Sequence, residues 1–116
     1  MLNLTPHPVM IETVDGSKIT LPVSGTVARV ATQEIVISSV AVSSNKIVPL
    51  VTWRFGDIVG LPERDEPCLV SNLVFEAVRV QQSWRKRIFV PDTGPTAIRD
   101  DAGHIVAVRR LMGVSP

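Results

Sequence analysis

One stretch constrains the fold more than any other: residues 68–91, CLVSNLVFEAVRVQQSWRKRIFVP, where apolar residues recur at helical spacing. Leu73, Val74, Ala77 and Val78, continued by Gln81, fall on one side of a helix spanning about residues 72–84. Ser71 stands where an N-cap side chain accepts a backbone N–H, and the cations of SWRKR suit the negative end of the helix dipole. CLV before the helix and RIFVP after it read as short strands. Together they predict a βαβ-like unit. If its strands run parallel, the crossover is right-handed and the helix covers one sheet face.

Elsewhere the chain reads as strand, with abundant valine, isoleucine and threonine. VMIETVDGSKITLP alternates apolar and polar residues about Asp15-Gly16-Ser17, which predicts a hairpin. TVARVATQEIVIS continues as a third strand, and Ser43-Ser44-Asn45 punctuates the chain after it. KIVPLVTWRFGDIVGLP then predicts irregular or bulged strand, with Pro49 at an edge or a break because proline has no N–H for a ladder. LPERDEP is a loop, and TAIRD and HIVAVRRL flank a second hairpin turn at Asp101-Ala102-Gly103. The expected fold is α+β: a mostly antiparallel sheet or small barrel with one helix packed on it, in a single domain over residues 1–116. The helix stripe should meet Val9, Ile11, Ile19, Ile35, Ile37, Val70, Phe89, Ile105 and Val108 in the core, and Phe75, off the stripe, should face a partner.

Composition removes several function classes. A formal charge of +1 gives no general attraction to nucleic acid, and five aromatic residues without a tyrosine leave few stacking platforms. The basic residues Arg79, Arg85, Lys86, Arg87, Arg109 and Arg110 gather in the C-terminal half, where helix-end and strand-surface charge explain them as well as a polyanion would. No run reaches the ~18 apolar residues of a membrane helix, and the N-terminus lacks a leader pattern. Cys68 is the single cysteine, which suits a reducing compartment; the expectation is a cytoplasmic protein without a membrane anchor. His7 and His104 have no cysteine or second histidine at metal spacing, and neither GxGxxG, GxxxxGK[ST] nor GxSxG occurs, so no metal, cofactor or catalytic constellation is expected.

The parallel reading places a candidate site. The helix start and the loop PDTGPT would share the carboxyl end of the strands, where backbone N–H groups are free and ligands bind in α/β arrangements. Ser71, Asn72 and Thr93 offer polar side chains there, Gly94 permits close backbone approach, and Asp92 suits a ribose hydroxyl or a cation. Arg99 could pair with phosphate, and His7, fixed between two prolines, has a preset direction. Capping by Ser71 and an Asx-turn at Asp92 account for the same residues without a ligand.

NLTPHPV, GLP, LVSNLVFEA and FVPDTGPTAIRDDAGHIVAVRRL together resemble a family of small bacterial and bacteriophage proteins with no assigned activity. The resemblance is strongest over residues 70–111 and weakest over residues 33–51. It implies a phage or prophage accessory factor, for example one that counters host defence. The leading expectation is a non-enzymatic binder of a small anionic ligand, such as a nucleotide-derived signal, or of a host protein. One alternative is an enzyme cleaving a phosphodiester or nucleotide bond, with Asp92 or His7 as acid or base. The other is a phage structural or protein-interaction component, a homo-oligomer whose contacts are the edges near Pro49 and the apolar surface near Trp53 and Phe55.

Overall fold

The helical repeat folds as a helix over Asn72–Gln81 (α1) in the computed structural model, which describes residues 1–115. Ser71 has extended backbone and accepts the Val74 N–H on its hydroxyl at 3.3 Å, the expected cap. The helix ends three residues before position 84. Gln82 leaves helical geometry, and its side chain accepts from Arg85 Nε at 2.6 Å. Arg85 is buried and also donates to the carbonyls of Pro62, at 2.6 Å, and Arg64, at 3.3 Å. The segment after Gln81 therefore turns back to hold the loop over residues 61–67.

The strands among the described residues are β1 (Leu2–Asn3), β2 (Val9–Glu12), β3 (Lys18–Leu21), β4 (Arg29–Ser43), β5 (Lys46–Val59), β6 (Cys68–Leu69), β7 (Ile88–Pro91), β8 (Ile98–Arg99), β9 (Ile105–Ala107) and β10 (Leu111–Met112). β6, α1 and β7 form the βαβ unit, with Cys68 beside Ile88 in parallel register. β1 adds in parallel on the other side of β6, and β10 closes the far edge antiparallel to β7, giving the order β1-β6-β7-β10. The helix thus covers a mixed sheet with three parallel strands. The antiparallel pairs are chiefly separate hairpins, and no barrel closes among the described residues. The class is α+β.

The core lies between α1 and this sheet. Val74, Phe75, Ala77 and Val78 pack with Val70, Ile88 and Val90, and Leu4 and Ala28 close the near side. Five expectations about burial are corrected here. Phe75 is buried in the core cluster, whereas Leu73 is half-exposed on the wall of a groove with Thr32, Trp53 and Phe55. Ile19 and Ile37 are exposed, being on hairpins that do not rest on the core, and Ile105 is exposed as well. Val70 and Val108 are buried as expected.

Both short hairpins form where their turn residues lie. Gly16 at φ 86° turns β2 into β3, and Gly103 at φ 85° turns β8 into β9. Val108 ties the two hairpins together: its carbonyl accepts from Glu12 N at 2.9 Å, and its N–H donates to Met10 O at 3.0 Å.

β4 and β5 make one long antiparallel arm. Its tip is a two-residue turn at Ser44-Asn45, with Asn45 in the left-handed region at φ 60°. The ladder shifts register beside Ala31, Ile37 and Val42, so the expected bulged strand is present. The whole molecule extends 57 × 40 × 28 Å.

Candidate functional site

The parallel pairing of β1, β6 and β7 brings their carboxyl ends to one side, with Leu4, Ser71 and Asp92 as the residues that follow or cap them. The helix start and the DTGPT loop therefore follow neighbouring parallel strands at the same end of the sheet. Ser71, however, accepts within its own helix, and Asp92 and Arg99 are engaged within the loop and with Arg110 and Gly103.

Asp92 is nearly buried. One carboxylate oxygen accepts the Gly94 N–H at 3.0 Å, closing an Asx-turn; the other accepts Arg110 Nε at 3.0 Å and Nη2 at 2.7 Å. The Gly94 N–H and then the Arg110 guanidinium hold this carboxyl below its ordinary range. Arg99 does not reach Asp92. It donates to Gly103 O at 2.6 Å and Thr93 O at 3.5 Å, joining the loop to the β8–β9 turn. Thr96 Oγ, inside the same loop, is buried without a partner.

Ser71 and Asn72 are exposed at the helix start, and Ser71 lines a groove of about 230 Å³ with Thr5, Pro6 and Arg29. Thr93 and His7 line a different groove, of about 370 Å³, whose other walls are chiefly apolar, among them Met10, Pro91 and Ile105. The seven residues expected at one site are thus divided. Two grooves and an internal ion pair take their place.

The loop holding His7 is built from its backbone. Buried Asn3 donates from Nδ2 to His7 O at 2.9 Å and Leu21 O at 3.0 Å, while its Oδ1 accepts the Thr5 N–H at 3.0 Å. The basic cluster is also divided. Arg85 is internal, Arg79 faces Glu76 at 3.5 Å, and Arg109 faces Glu12 at 3.7 Å. Among the described residues no group of three His, Cys, Asp or Glu side chains could hold a metal ion, and no helix is long and apolar enough to cross a membrane.

The most exposed apolar surface lies on the arm. Alternation along β5 puts Ile47, Pro49, Val51, Trp53 and Phe55 on one face, with Val36 and Ala41 of β4 opposite Val51 and Ile47. Val36 is 67 %, Ile47 65 % and Trp53 60 % exposed. From Ile35 to Thr52 the single charged residue is Lys46. At the base the same face meets α1: Thr32, Trp53, Phe55 and Leu73 line a groove of about 280 Å³, and Gln81 Nε2 donates to Gly56 O at 2.9 Å. The apolar surface near Trp53 and Phe55 was legible in the sequence; its continuation along the charge-free run to Ile47 was not drawn from it.

Comparison with family models, with curated proteins and with solved structures returned no match.

Proposed function

We propose that the protein is a non-enzymatic protein-interaction component, a subunit that works in an assembly through its β4–β5 arm. The observation that carries this reading is the surplus of surface. A folded chain of 12.6 kDa presents 7922 Å², against roughly 6,200 Å² for a monomer of that mass. Its radius of gyration of 17.7 Å likewise exceeds the roughly 13 Å of a compact chain this long. Ten of the 22 exposed large apolar residues lie on β4 and β5. A two-stranded ribbon is marginal in water by itself, and contiguous apolar patches of this kind mark interaction sites.

The resemblance to phage-borne proteins suits an accessory or assembly role. An anion-binding role at the strand ends would have to compete with the bonds already made by Asp92 and Arg99. Among the described residues, the outer arm from Ile35 to Thr52 makes no side-chain hydrogen bond to the rest of the chain.

The test is a photoreactive phenylalanine analogue placed at position 53 in the full chain and irradiated in cells. Covalent adducts to protein, of whatever identity, are the expected result. If the chain is recovered only as its own uncoupled mass, the interaction reading fails.

A further inference from the structure

We infer that the occupant of the arm is a second copy of this chain, packed face to face on the side of β5 that carries Ile47, Val51 and Trp53. The inference rests on the assembly role above and names its partner.

The edges of the arm are poorly suited to pairing. Pro49 lies within β5 and has no N–H to offer, and β4 carries the extra residues Ile37 and Val42 at its register shifts. Proline and bulges both discourage another strand from adding to an edge. Contact therefore falls to the side-chain faces.

The two faces differ. On one, β5 presents Ile47, Pro49, Val51, Trp53 and Phe55 without interruption. On the other, Lys46 and Arg54 bracket Val48, Leu50 and Thr52. Outward of Glu34 the first face holds no charge. A surface of that kind selects neither an acidic nor a basic partner; its complement is another uncharged apolar surface. The same face of a second arm supplies one.

A two-fold arrangement with the arms antiparallel also uses the groove at the base. Ile47 at one arm tip would approach Trp53 of the partner subunit, where Phe55 and Leu73 form the groove walls. Sheets packed this way stand about 10 Å apart with interleaved side chains. The surplus surface, roughly 1,700 Å² over a monomer of this mass, exceeds the roughly 800 Å² per partner that a stable interface buries.

The experiment is sedimentation velocity of the full chain over a wide concentration range, with Trp53→Lys and Val51→Lys on the proposed face and Leu50→Lys on the opposite one. Melting temperature and protection of the buried Cys68 thiol report whether each variant is folded. The expected result is a species of at least twice the chain mass. Folded Trp53→Lys or Val51→Lys should weaken association by at least ~30-fold, as loss of a central interface residue does, while Leu50→Lys stays near the parent. A monomer at every concentration overturns the inference, as does dissociation by Leu50→Lys with both other variants still associated. The photoreactive chain separates the two proposals. An adduct of two copies supports this one; an adduct with a different protein alone overturns it and leaves the assembly role standing.

Discussion

Arg110 grips one oxygen of Asp92 from two nitrogens, Nε at 3.0 Å and Nη2 at 2.7 Å, while the Asp92 N–H donates to Arg110 O at 2.9 Å. The pair fixes the end of β7 to the approach to β10 and sets the start of the DTGPT loop. Arg110→Ala should leave the helix and sheet intact but raise deuterium uptake over residues 92–97 several-fold. Because Arg110 is well exposed, melting temperature should change little. Unchanged uptake in that loop would show that the Asx-turn holds it unaided.

Acid should loosen the molecule through two carboxylates. Thr13 and Ser17 hold Asp15 down to about 2, and Gly94 and Arg110 lower Asp92. In the unfolded chain each titrates near ~3.9. A depressed carboxylate stabilises the fold above that value and loses its effect as pH falls through the folded pKa. Melting temperature should therefore fall below about pH 4, and more shallowly in an Asp15→Asn, Asp92→Asn double variant. Parallel acid limbs for parent and double variant would refute this assignment.

Phe75 and Leu73 exchange the roles that their spacing suggests. Phe75 is 7 % exposed and belongs to the core cluster, so Phe75→Ala should destabilise by about 3–5 kcal/mol. Leu73, at 49 % exposure, should cost under ~1 kcal/mol on truncation to alanine in the monomer. Chemical denaturation of both variants checks the order, and a larger loss at Leu73 would contradict it.

Gly60 ends the arm at φ 90°, and a Cβ there would meet Val27 O at 2.7 Å. Backbone strain and contact act in the same direction, so Gly60→Ala should destabilise by at least ~1 kcal/mol. Gly16, also at positive φ but with open space around it, should suffer less from the same change. Equal melting temperatures for the two variants would argue against the contact.

The βαβ unit was legible because a 3.6-residue repeat between two short apolar runs has few other solutions. The hairpins at Gly16 and Gly103 were legible from turn chemistry. β1 was not: Leu2 and Asn3 show no periodicity, and their partners in β6 are remote in the chain. The burial of Phe75 was not legible either, because residues it clusters with, Leu4 and Ala28 among them, are remote in the chain. Ile37 looked like core because apolar strand residues usually have a sheet or helix to rest on, whereas this arm projects. At the candidate site the residue types were visible, and so was their common sheet end. The cap at Ser71 and the Asx-turn at Asp92 were legible too; the pairing of Asp92 with Arg110 was not, because Arg110 lies beyond an entire hairpin.

The pairing of Leu2 with Cys68, and of Cys68 with Ile88, has a consequence for how the chain is made. The first strand of the sheet can find its neighbour only after more than half the polypeptide exists, and the helix can settle only once β7 has followed. The arm needs contacts no more distant than its own tip, beginning at Ser43 with Lys46. Local contacts close before remote ones, so the tip of the charge-poor ribbon and the short hairpins can pair before the core does. Refolding should pass through a stage in which the apolar arm stands without its body, the interval in which such a chain is most exposed to aggregation.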